Sequence, residues 1–153
     1  MSDANELLTL SQRFLDAIDQ RDWETYVELC DPTLTAFEPE AVGNLVTGLE
    51  FHRIYFESNS RGTTVNSTIS CPDVRLMGDV AVIAYVRLRQ RVDAQGIHST
   101  TANEETRIWQ KQNGAWKHVH FHRSQCGSIE LSRNPNRRLV VGLDLEEGSS
   151  CDV

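Results

Sequence analysis

No apolar run in this sequence approaches the roughly 18 residues that a membrane-spanning helix needs. The opening Met1-Ser2-Asp3-Ala4-Asn5-Glu6 is acidic and lacks the basic and apolar regions of a signal peptide. Cysteine is sparse: Cys30, Cys71, Cys126 and Cys151 are scattered and form no C-x-x-C pair. That spacing excludes a zinc ribbon or a thioredoxin-type site, and reduced thiols in the cytoplasm are the expectation. Positive charge is also short, with 15 Lys and Arg against 22 Asp and Glu and a net charge of −7. A chain of that sign lacks the basic face that nucleic acid requires. No Gly-rich nucleotide loop, no H-R-D and no D-F-G occurs, which excludes phosphoryl transfer of the protein-kinase kind by this sequence. There is no internal repeat and no low-complexity segment.

What remains is enough for a core. Hydrophobic residues make up 39% and charged residues 24% of 153 positions, the composition of one ordinary folded domain. Leu7, Leu10, Phe14 and Ala17/Ile18 recur at spacings of three and four, which predicts an amphipathic helix. Asp22 is placed to cap a second helix whose buried side would be Trp23, Tyr26, Val27 and Cys30, stopped by Asp31-Pro32. A short extended piece, Leu34 to Phe37, follows, and Leu49 to Glu57 reads as a third short helix with Phe51, Ile54 and Tyr55 near one face.

The second half reads as β structure. Val65 to Met77 forms a strand bulged near Pro72, and Gly78-Asp79 turns it into Val80 to Val92. Gln95-Gly96 leads to a strand centred on Thr106 to Trp109, and Asn113-Gly114 is the hairpin signal into Ala115 to Arg123. Helices followed by a four-strand meander predict an α+β fold, with helices on one face of a curved antiparallel sheet. The domain is assigned to residues 1–126. Residues 127–153 read as a loop, room for one extra strand at Leu139-Val140-Val141, and an acidic tail. That apolar run would lie exposed beside open sheet edges, so Arg138 to Glu146 is expected to add a strand or pack on a neighbour. Arg133, Arg137 and Arg138 are expected to pair locally with Asp144, Glu146 and Glu147 or to stay solvated.

Several ordered blocks carry a resemblance. They are Cys30-Asp31-Pro32 with Leu34 to Ala41, Gly43 to Val46, Gly48 with Phe51-His52-Arg53 and Tyr55-Phe56-Glu57, Ile83-Ala84-Tyr85 with Arg87-Leu88, Glu104 to Arg107 with Trp109, and Val119 to Ser124. From about Glu6 to Ser124 the chain resembles the association (hub) domain of calcium/calmodulin-dependent protein kinase II. The resemblance implies an NTF2-like fold, a curved antiparallel sheet wrapped around a long N-terminal helix. It also implies an oligomerisation hub whose subunits form dimers that stack into two rings. The expected partner is the chain itself. Kinase-bearing hub subunits and small carboxylates are further candidates, with no nucleic acid and no membrane. The chain departs from the family pattern in lacking a basic calmodulin-target helix, in a Glu57–Val65 segment that is shorter than in animal members and has no tryptophan, and in its C-terminal extension.

Strand parity adds chemistry to that expectation. Tyr85, Arg87, Arg89 and Arg91 alternate onto one face of their strand, as do Glu105, Arg107 and Trp109 on the next. An arginine in an apolar strand core has to be paired, because a bare buried charge is costly. In the implied fold Arg87 and Arg107 point into a pocket with Tyr26, His52 and Glu105, and the family holds small carboxylates at matching positions. Glu105 is expected to neutralise one arginine and leave the other for a carboxylate, since a guanidinium fork matches that group. A structural ion pair in a vestigial pocket is the competing reading. An isomerase- or dehydratase-type enzyme on the same fold is weaker, because a cation-lined cavity suits anion binding better than proton abstraction. His118, His120 and His122 alternate onto one face about 6.7 Å apart, too far for one metal to reach all three. No metal and no cofactor is implied.

Overall fold

The computed structural model describes residues 2–57 and 62–125. Helix α1, Asp3–Gln20, starts at Ser2, whose side chain accepts from the Asn5 amide, and Asp3 and Glu6 lie in its first turn, where the helix dipole favours negative charge. It buries Leu7, Ser11, Phe14, Leu15 and Ala17, the stripe that the three–four spacing predicts. Arg21, with φ of 61°, stops it and sends its amide back to the Ala17 and Ile18 carbonyls. Helix α2, Trp23–Leu29, is capped by Asp22, which accepts from the Thr25 amide at 3.0 Å. Tyr26 and Leu29 form its buried side, while Val27 faces out, 39% exposed, against expectation.

Strand β1, Cys30–Phe37, begins sooner than the sequence suggests. It pairs parallel with β6, Ala115–Gln125, and the register jumps between Cys30 and Thr35. Pro32 sits in that jump, where no ladder amide is missed. One turn of 3-10 helix, Pro39–Ala41, leads to the two-residue β2, Val46–Thr47, on the edge. The third helical segment is a 3-10 turn, Glu50–Arg53, continuing into a single turn α3, Ile54–Glu57, and its buried residue is His52 rather than Ile54.

Strands β3, Thr64–Met77, β4, Val80–Val92, and β5, His98–Gln112, complete a sheet of order β2-β1-β6-β5-β4-β3. The meander β3 to β6 is antiparallel as predicted, so the β1–β6 pair alone departs from the antiparallel pattern. The bulge expected at Pro72 lies between Ser70 and Asp73, with Cys71 at φ of 49°. Asn113 and Gly114 both take positive φ, the geometry of a two-residue hairpin that matches strand twist. The curved, unclosed sheet wraps α1, and Leu7, Phe14, Leu15, Leu34, Ala81, Ile83 and Trp109 form the core between them. The extension 127–153, with its expected extra strand, lies outside the described residues.

Val42 is the strained point of this frame. A β-branched residue at φ of 50° is sterically disfavoured, and Val42 is 84% exposed, so no core contact compensates. Val42→Gly is expected to raise the unfolding free energy of the subunit by about 1 kcal/mol, the cost of one left-handed L-residue less the entropy glycine adds to the unfolded chain. Urea denaturation of the two proteins measures it.

Candidate functional site

The site is a cavity of about 620 Å³ between α1, the turn at Glu38–Tyr55 and the concave faces of β4, β5 and β6. Its position follows from strand parity. Tyr85 lies opposite Glu105 and Ile83 opposite Arg107, so the inward residues of β4 and β5 form one wall. Arg87, Arg107, Tyr26, His52 and Glu105, the five residues singled out from the sequence, all line it.

Arg107 is 2% exposed and uses its fork inside the protein. It donates to Glu105 Oε2 at 2.7 Å and to the Tyr85 hydroxyl at 2.7 Å, and Tyr85 in turn donates to Glu105 Oε2 at 2.6 Å. Its third arm lies 3.3 Å from His118 Nε2. Its guanidinium carbon is 4.4 Å from the Phe14 ring centre and 4.9 Å from that of Phe121, within cation–π range. Burial works to raise the Glu105 pKa, but Arg107 and then Arg87 outweigh it and hold the carboxyl below its usual range. Burial, with Arg107 next to it, pushes His118 well below the usual imidazole value, so that ring is neutral and can accept from the guanidinium. Burial also raises the Cys30 thiol to about 12, which removes it as a nucleophile.

Arg87 does not hold the leftover charge that the sequence implies. It donates to Asp19 Oδ1 at 3.0 Å and to Ser67 Oγ at 2.8 Å, and stands 3.6 Å from Glu105 Oε1. Asp19 in the last turn of α1 is thus the second carboxylate: the arginine that Glu105 was expected to leave over is met by a side chain of the protein itself. A signal was present in the sequence: an acid in the last turn with no base beside it opposes the helix dipole unless a cation faces it.

A second cluster closes the other side. Glu38 is buried, with His52 Nε2 3.1 Å from its Oε1, the Tyr55 hydroxyl donating to Oε2 at 3.0 Å, and Arg123 at 3.3 Å. Arg123 also pairs with Glu40. Sequence reasoning did not place Glu38 in the pocket, because its partners are far along the chain. Five arginines (21, 87, 89, 107, 123) and four carboxylates (19, 38, 40, 105) line the cavity, an excess of one arginine over the acids. Arg87, Arg107 and Arg123 are paired. Among the described residues, Arg21 and Arg89 have no carboxylate at ion-pair distance, so the surplus charge stands at the mouth and not at the deep wall.

The three histidines of β6 do not share a face. The β5–β6 register shifts between Trp109↔His118 and Ile108↔His120, so His118 points into the core while His120 and His122 turn outward. One extra residue in a bulge reverses the parity that strict alternation assumes.

A helix held in a curved, unclosed sheet, with a polar cavity at its mouth, defines an NTF2-like domain. A nuclear transport factor 2 (NTF2-like) superfamily protein from Salmonella enterica superposes with a TM-score of 0.66 at 20% identity, covering 84% of this chain and 94% of that one, which shows the fold alone. The family model of the calcium/calmodulin dependent protein kinase II association domain matches residues 3–127, and the chain belongs to that family. It is 47% identical over 129 residues to the type II kinase subunit delta of Oryctolagus cuniculus, a match over 82% of this chain and 24% of that protein. The CamKII hub homology domain of Chlamydamonas reinhardtii superposes with a TM-score of 0.77 at 45% identity, covering 82% of this chain and all of that one. The chain thus spans about a quarter of the kinase subunit it resembles, and family membership assigns it an oligomerisation role.

Proposed function

We propose that this domain is a non-catalytic assembly hub whose copies close into a two-ring complex, and that its cavity accepts a small carboxylate. The match to an association domain across residues 3–127 carries the first part. Phe37, Val42 and Leu45, exposed apolar residues on and beside β1, supply surface that association would cover. Kinase-bearing hub subunits are candidate co-partners, and the cytoplasm is the proposed location. Among the described residues no helix is long and apolar enough to cross a membrane. Light scattering after size exclusion should give the mass of many subunits. A stable monomer or dimer at moderate concentration overturns the ring.

The surplus positive charge at the mouth supports the second part. Arg107 and Arg87 are committed to internal carboxylates, so the group that meets an incoming anion is Arg89, backed by Arg87. Arg89→Gln in the full chain is expected to weaken lactate binding by about 1.5–3 kcal/mol, the worth of a charge-assisted hydrogen bond. Titration calorimetry reads it, and an unchanged affinity returns the cavity to a purely structural role. The enzyme alternative finds less support, because the carboxylate of Glu105 is held ionised in ion pairs and is a poor base near neutral pH.

A further inference from the structure

We infer that the cavity mouth has an occupant built into the same chain, the acidic stretch Asp144-Leu145-Glu146-Glu147, which competes there with any free carboxylate. The inference rests on the reading that the mouth accepts carboxylates, and it adds who supplies them.

Three observations lead to it. First, the described chain ends at the rim of the cavity. Gln125 pairs with Asn103, a lining residue, and Asn103 pairs with Arg87, so the extension departs two strands away from Arg87, about 10 Å across the sheet. Second, the charges are complementary. Arg89 and Arg21 stand at the mouth with no carboxylate partner among the described residues, while residues 139–153 carry four acids and no base. Arg133, Arg137 and Arg138 all precede this stretch and, of the two outcomes expected for them, stay solvated while the acids reach the mouth. Third, the length suffices. Asp144 follows Gln125 by nineteen residues, a reach of up to about 60 Å extended and roughly 25 Å as a coil. A tethered acid at that range has an effective concentration in the millimolar region, enough to compete with a small carboxylate of similar affinity.

Desolvation and the nearby Arg87 both work against the charge on Arg89 and lower its pKa, so a carboxylate beside it relieves an existing repulsion. Leu143 and Leu145 flank Asp144, and the cavity offers Ile18, Ile54 and Val65 as apolar lining for them.

The test uses the full chain and two independent measurements. In limited digestion with a glutamate-specific protease, cleavage after Glu146 and Glu147 should be about fivefold faster in Arg89→Gln than in the native protein. Millimolar acetate should speed cleavage of the native protein toward the rate of the variant. Equal rates, and no response to acetate, overturn the inference. In calorimetry, acetate should bind about fivefold more tightly to the triple variant Asp144→Asn, Glu146→Gln, Glu147→Gln than to the native chain. Equal binding to both overturns the built-in occupant and leaves the carboxylate cavity standing. Binding to neither protein overturns the cavity reading as well.

Discussion

Glu105→Gln is expected to remove about 3–5 kcal/mol of folding stability, the cost of breaking a buried ion pair by deleting one partner. Glu105 accepts from Arg107 and Tyr85 and stands beside Arg87, and none of these groups can reach bulk water. Glutamine keeps the shape, loses the charge, and brings an amide N–H₂ to face two guanidinium groups. Asp19 still serves Arg87, so the uncompensated charge falls on Arg107. Urea unfolding measures the loss. The double variant Glu105→Gln, Arg107→Met should lose less than the sum of the singles, because the second change removes the stranded cation.

The same pair sets an acid limit. The folded pKa of Glu105 lies below its unfolded value, since Arg107 and Arg87 prevail over burial. A depressed carboxylate contributes stability in full above its unfolded pKa. That contribution is lost as pH falls through the folded value. Unfolding free energy should therefore decline below about pH 4.5 in the native protein, starting from the ordinary Glu value, and decline less steeply in Glu105→Gln.

Arg107 also shows why the deep wall is a poor place to test ligand binding. Arg107→Met would strip a hydrogen bond from Tyr85, the ion pair from Glu105 and a cation from the faces of Phe14 and Phe121. A fall in carboxylate binding by that variant would report partial unfolding as readily as a lost contact. Arg89, exposed and without an ion-pair partner among the described residues, separates the two effects.

Local signals made much of the fold legible. Asn113-Gly114 requires positive φ at both positions, Pro72 cannot complete a regular ladder, and the α1 stripe repeats at helical spacing. Each is decided within a few residues, and each appears where the sequence places it. Parity, joined to the fold that the resemblance implies, put Arg87, Arg107 and Glu105 on one wall. What stayed hidden depends on long-range contacts. The parallel pairing of β1 with β6 joins Thr35 to His120, 85 residues apart, and nothing in either segment names the other. Glu38 became a cavity carboxylate through Tyr55, His52 and Arg123 in the same way. The histidine parity failed at Val119, where a bulge in an ordinary-looking β sequence shifts the register by one. Val27 faced out because α2 is only seven residues long and buries a single side.

Phe14→Ala is expected to be the other large loss, about 3–5 kcal/mol, the range for truncating a buried phenylalanine. Phe14 is where α1 grips the sheet. Its ring centre lies 4.9 Å from that of Tyr26, 4.7 Å from that of His118 and 6.4 Å from that of Trp109. It also covers the guanidinium of Arg107, so truncation opens a void against a buried charge as well as against apolar neighbours. Phe14→Leu separates the two contributions. Leucine restores most of the volume but has no negative ring face to set against the cation. A desolvated cation–π contact is worth about 0.5–2 kcal/mol, and the leucine variant should lose that much with little more. Urea unfolding of the three proteins decides between them. A leucine variant as stable as the native chain would mean that Glu105 and Tyr85 hold Arg107 unaided, and that the aromatic lid contributes only its buried area.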